Sequence, residues 1–142
     1  MVMRAYQRAL WHRGLVDLAT LAASKYLSLT TFRRDGTPVA TPVWLAPRDG
    51  TLVVFTDRAS GKVKRLRADP RVRLAPCDWR GRVRGPALDA TAELTDAAGT
   101  LGVLAAIRAR YGWQARLLLW FGARRGETVD SLAGIVIRPP GA

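Results

Sequence analysis

A chain of 142 residues, 49% hydrophobic and 24% charged, fits a single domain, 1–142, with one core, and its composition argues against disorder. Its lone cysteine, Cys77, excludes an internal disulfide, and with one histidine, His12, no Cys/His set has metal-ligand spacing, so no metal site is expected. The net charge of +12 favours anionic partners, although an Arg- and Ala-rich, Lys-poor composition also follows from GC-rich codons.

No apolar run approaches the ~18–20 residues that a bilayer crossing needs, which argues against a membrane protein. Arg4, Arg8, His12, Arg13 and Asp17 interrupt the N-terminal apolar pattern, unlike a signal peptide, and the expected location is the cytoplasm. Leu10, Leu15, Leu18 and Leu21, with Trp11 and Val16, predict a helix over about 9–24.

The period then changes. Tyr26–Arg33 reads as a strand, Asp35-Gly36 as a hairpin turn, and Thr37–Ala46 as the return strand, with Pro42 implying an edge or a bulge. Asp49-Gly50 leads into a third strand, Thr51–Thr56. Ser60 to Asp69 predicts a short helix with Ser60 as N-cap and Pro70 past its end. Arg71–Asp78 is the next strand, followed by a loop over Trp79–Pro86 that carries Arg80, Arg82 and Arg84.

In Ala87–Thr95, Leu88, Ala90, Ala92 and Leu94 alternate onto one face. Asp96 caps a helix running to about Tyr111, with Leu101, Leu104, Ile107 and Tyr111 on a shared face. Gln114–Ala123 forms a second helical piece. Its Leu117–Phe121 run is apolar all round, predicting burial in the core, against a partner subunit, or as a pocket wall. Leu132–Arg138 closes the series. The order predicts an α+β fold: a mostly antiparallel barrel of about six strands, over about 25–138, with a few helices.

Thr56 to Arg67 holds the most informative chemistry. A strand ends, a turn brings Ser60 and Gly61, and a helix begins with its amides unpaired, which attracts an anion. Lys62 and Arg65 share one helix face and Val63 and Leu66 a neighbouring one, so the basic pair can meet a phosphate while the apolar pair packs. A solvated basic helix is the competing reading. The Walker pattern G-x-x-x-x-G-K-[ST] is absent. Trp79 beside three arginines suggests nucleic acid, but no RNA or DNA module signature accompanies it, and that reading is set aside. Exposure or capping is expected of His12, and burial of Cys77.

The run Ser60-Gly61-Lys62-Val63-Lys64-Arg65-Leu66-Arg67-Ala68-Asp69-Pro70-Arg71-Val72 resembles the pyridoxamine-phosphate-oxidase-like split-barrel proteins. It is most similar to their PPOX class F420-dependent branch. Thr41-Pro42-Val43-Trp44, Ala75-Pro76-Cys77-Asp78, Arg80-Gly81, Gly85-Pro86 and Arg110-Tyr111-Gly112-Trp113 match that branch in order, from about Ser24 to Arg138.

The resemblance implies a six-stranded split β-barrel of the FMN-binding type and a homodimer with cofactor sites at the subunit interface. It implies that Ser60 and Lys62, in the turn that Gly61 opens, hold a cofactor phosphate, with Arg65 nearby. Pro42, Val43 and Trp44 then lie along the flavin-like ring, and Thr56 beside the ribityl-phosphate arm. Arg58, Lys64 and Arg67 are candidates for an oligoglutamate tail. The implied reaction is hydride transfer from reduced F420 to an unsaturated small-molecule substrate. FMN is the alternative cofactor, and a cofactor-binding or storage protein without turnover is the alternative function. The residues nominate no proton donor.

Overall fold

The computed structural model describes residues 18–139. Of the expected N-terminal helix, Leu18–Ala23 is observed (α1); residues 9–17, with His12, lie outside the described residues. The strands are β1 (Tyr26–Phe32), β2 (Pro38–Val43), β3 (Leu45–Arg48), β4 (Thr51–Asp57), β5 (Arg71–Cys77), β6 (Leu88–Leu94) and β7 (Leu132–Arg138). The remaining helices are α2 (Gly61–Ala68), α3 (Ala97–Tyr111) and α4 (Trp113–Arg124).

Both Asp-Gly pairs make the expected turns. Gly36 has φ +88° and the Asp35 carboxylate accepts from the Thr37 N–H at 3.0 Å. Asp49 and Gly50 have φ of 50° and 76°, the doubly left-handed conformation of the tightest hairpin loop.

The expected return strand Thr37–Ala46 is two strands. It pairs with β1 as far as Val43, breaks at Trp44, and continues as β3 along β4. All neighbours are antiparallel in the order β2-β1-β5-β6-β7-β4-β3. The sheet therefore begins and ends on two halves of one run joined by Trp44, so it must curl back on itself. Seven hydrogen-bonded strands and a six-stranded split barrel are the same object, counted either side of that break. Pro42 occupies a terminal strand, where its missing N–H costs no ladder bond on the open side.

Period-two alternation sorts the side chains onto two faces. Leu27, Leu29, Leu52, Val54, Leu74 and Ile135 fill the barrel interior. Val53, with Val103, Ile107, Tyr111 and Ala115, forms a second cluster between the sheet and α3. Asp96 caps α3 by accepting from the Gly99 N–H at 2.7 Å, as expected. Gly134 lets α3 approach β7 closely, since a Cβ there would lie 3.1 Å from Thr100 Cα.

Three expectations are corrected. Leu104, Ile107 and Tyr111 face inward on α3 as expected, joined by Thr100 and Val103, but Leu101 is exposed. Ser60 stands at the N-cap of α2 but its side chain caps nothing. Of the three places expected for the Leu117–Phe121 run the core is excluded, since Leu117, Leu118, Trp120 and Phe121 are each between 42% and 50% exposed, while Leu118 forms part of a groove wall. Only Ala115 and Gly122 of α4 are buried, so this helix rests on the body through small residues while α3 already covers the sheet. Among the described residues, no helix is long and apolar enough to cross a membrane.

Candidate functional site

A groove of about 420 Å³ opens beside the strand break, lined by Tyr26, Pro42, Val43, Trp44, Phe55, Thr56, Lys62, Trp79 and Leu118. One wall comes from β2 and the break, another from the end of β4, and the rest from the start of β1, α2, α4 and the segment after β5.

Trp44 is held from behind. Its ring stacks on Tyr111 with centroids 4.4 Å apart and planes 13° from parallel. The Tyr111 hydroxyl lies 2.8 Å from the Lys25 carbonyl and 3.0 Å from that of Leu45, both potential acceptors, and accepts from the Leu45 N–H at 3.2 Å. Arg110 donates to the carbonyls of Leu45 and Ser24 at 3.2 and 2.8 Å. The end of α3 thus satisfies the backbone groups that the strand loses where it changes partners. Burial pushes the Tyr111 phenol up, against the opposing effects of the Leu45 backbone and Arg110.

At the polar end, β4 passes Thr56 and turns through Asp57, whose carboxylate accepts from the Ala59 N–H at 2.9 Å. The Thr56 and Ser60 hydroxyls face each other at 3.5 Å. The first turn of α2 has neither a side-chain cap nor an acidic residue, so its amides are open to an anion.

Lys62, half-buried at this end, makes no hydrogen bond or ion pair with any described residue. Burial holds its ammonium below the ordinary lysine value; Arg65 adds to the effect and Asp57 opposes it.

Arg65 and Lys62 remain neighbours, but the Arg65 Nε donates to the Thr31 hydroxyl at 2.6 Å and its guanidinium folds over Gly61. Val63 and Leu66 are buried, as expected. Of the sequence candidates, Pro42, Val43, Trp44, Thr56 and Lys62 line the groove. Ser60 and Gly61 stand behind Thr56 and Lys62, and Lys64 is exposed outside the lining.

Sequence reasoning missed Tyr26 and Phe55, which carry no signal beyond strand periodicity. It read Trp79 only as part of a basic loop. That loop is a built turn: Asp78 accepts from the N–H groups of Arg80 and Arg82, both at 2.9 Å, and Cys77 bridges to Val83. These backbone bonds hold the Asp78 carboxyl below the usual range. Arg80 lies 4.8 Å over the Trp79 ring. Cys77 is buried, which pushes its thiol up, the opposite of an activated thiolate. Among the described residues, no three His, Cys, Asp or Glu side chains gather as metal ligands.

The sequence profile of pyridoxamine 5′-phosphate oxidase matches residues 18–139, which include the whole groove. This chain belongs to the pyridoxamine 5′-phosphate oxidase family.

That family includes flavin-binding oxidoreductases, and solved structures share the fold. The conserved hypothetical protein Rv2991 of Mycobacterium tuberculosis is 23% identical, with 85% of this chain and 79% of that one covered and a TM-score of 0.61. An F420 reductase is 21% identical over 85% of this chain and 90% of its own, with a TM-score of 0.55. The heme storage protein HutZ of Vibrio cholerae is 16% identical over 84% of each chain, with a TM-score of 0.62. At such identities the likeness is one of fold. No curated protein sequence matches the chain.

Proposed function

We propose that this member of the pyridoxamine 5′-phosphate oxidase family is an F420-dependent oxidoreductase that passes a hydride from reduced deazaflavin to an unsaturated organic substrate. The observation that carries the reading is Lys62. A half-buried cation without a carboxylate partner, beside open helix amides and below an aromatic-lined groove, suits a molecule with a flat ring and a phosphate.

When bound, the reduced deazaflavin supplies the hydride. Lys62 and the first-turn amides of α2 bind the phosphate, with the Thr56 hydroxyl beside the arm. Pro42, Val43 and Trp44 orient the ring, and Phe55 and Leu118 exclude water from it. FMN carries a phosphate as well, so the preference for F420 rests on the motif likeness and on the basic surface available to an anionic tail.

Titration with F420 and, separately, FMN, followed by tryptophan fluorescence at low and moderate salt, tests this directly, because Trp44 and Trp79 both line the groove. Tight binding of F420 and weak binding of FMN is expected. A preference for FMN moves the protein to an oxidase-like reading. A bound, reduced cofactor that no acceptor oxidises makes it a carrier.

The homodimer belongs to the same proposal. Trp113 opens α4 and is 71% exposed, and Trp79, 64% exposed, lines the groove together with Leu118 of that helix. At about 150–250 Å² for a full aromatic side chain, this surface offers several hundred Å², on the scale of the ~800 Å² per partner of a standard interface. Sedimentation at micromolar concentration is expected to give a dimer, and a stable monomer would contradict it.

A further inference from the structure

We infer that Tyr26 is the proton donor of the reaction, delivering its phenolic proton to the substrate as the hydride arrives. This rests on the hydride-transfer reading above and supplies a group that no sequence motif nominated.

Three observations place it. Tyr26 opens β1 and lines the groove. Pairing of Leu27 with both Val43 and Pro76 sets Tyr26 level with Trp44 on one side, while Tyr26 itself pairs with Cys77, two residues before Trp79, on the other. The tyrosine therefore stands beside Trp44 and close to Trp79, the two indoles of the groove lining. Because Leu27 and Leu29 point into the barrel, alternation turns Tyr26 outward.

Its hydroxyl makes no hydrogen bond to any described residue, yet it is not among the buried polar atoms left without a partner. It is open to solvent or ligand. The other hydroxyls at the site are engaged: Tyr111 with the backbone of Lys25 and Leu45, Thr56 with Ser60.

The backbone around Tyr26 is fixed, so the phenol is held in place. Ser24 Oγ donates to the Tyr26 carbonyl at 2.7 Å, and the Lys25 carbonyl, just before it, lies within hydrogen-bond reach of the Tyr111 hydroxyl. Charged or titratable neighbours are Tyr111, which interacts with Tyr26 electrostatically, and Lys62 across the groove.

For a conjugated ketone the step balances simply. The carbon–carbon π bond breaks, the hydride forms a C–H bond at the β-carbon, and the electron pair moves toward the carbonyl. The Tyr26 O–H bond breaks, its proton forms a C–H bond at the α-carbon as the electron pair returns and the carbonyl re-forms, and the phenolate takes a proton back from water. The substrate is reduced by two electrons and the deazaflavin is oxidised by two.

The test compares wild type with Tyr26→Phe, which keeps the ring. F420 affinity, read by fluorescence titration, is expected to be unchanged. The kcat for oxidation of reduced F420 by cyclohex-2-enone should fall by about 10²–10⁴, the usual worth of a positioned general acid, with KM little altered. As a readout independent of turnover, bound oxidised F420 should shift the tyrosinate absorbance titration of wild type, and Tyr26→Phe should lack that shift.

Equal turnover in the two proteins overturns the donor and leaves hydride transfer standing. Wild-type protein that binds reduced F420 but passes nothing to the enone, a quinone or a nitroarene overturns both.

Discussion

Lys62→Ala is expected to weaken cofactor binding roughly 10- to 150-fold, the equivalent of ~1.5–3 kcal/mol for a hydrogen bond to a charged group. The ammonium is half-buried and makes no hydrogen bond or ion pair with a described residue, Asp57 acting on it only at longer range, so its attraction for a phosphate is screened less than that of an exposed lysine. Lys64→Ala is the control: that side chain is exposed and outside the groove lining, and a much smaller, strongly salt-dependent loss is expected. Unchanged affinity in Lys62→Ala would remove the phosphate assignment.

The fold should not suffer in Lys62→Ala. Burial lowers the folded-state pKa of Lys62, so the folded protein gives up this proton more readily than the unfolded chain. Stability therefore rises as pH climbs through that lowered value toward the unfolded one, near 10.4. Removing the lysine removes a cost, and the thermal midpoint at neutral pH is expected to be equal or higher. Phosphate affinity runs the other way over the same window, because the neutral amine attracts no anion.

The second large effect falls on Tyr111. Tyr111→Phe keeps the stack on Trp44 but leaves the Leu45 N–H without its partner, an expected loss of about 1–3 kcal/mol in denaturant unfolding. Tyr111→Ala also empties a buried ring site, and the expected loss rises to about 3–5 kcal/mol. Near-ultraviolet circular dichroism separates the two: the Trp44 signal should survive in the phenylalanine variant and collapse in the alanine one. A stable Tyr111→Ala protein with normal cofactor affinity would show that Trp44 needs no support from α3.

These two residues differ in how far the sequence reveals them. Lys62 is legible because an anion site at a helix start is local: a strand end, a small polar turn, then a basic residue. Tyr111 appears in the sequence only as the end of an apolar stripe and part of a family-like motif. Its bonds reach residues 66 and 86 positions away, and no local pattern encodes such a separation.

By itself the sequence determined the strands through their period of two, the turns through Asp35-Gly36 and Asp49-Gly50, the capped start of α3 at Asp96, and the basic entrance to α2. Each depends on neighbours within a few residues, where sterics and hydrogen bonding are local. The tertiary structure alone decided the rest. The break at Trp44 arises because one run must join both ends of a curling sheet. The outward face of α4 arises because α3 already covers the sheet. Tyr26, Phe55 and Trp79 meet in one groove because antiparallel pairing lays distant strands side by side, and only closure of the barrel determines which side chains then face one another.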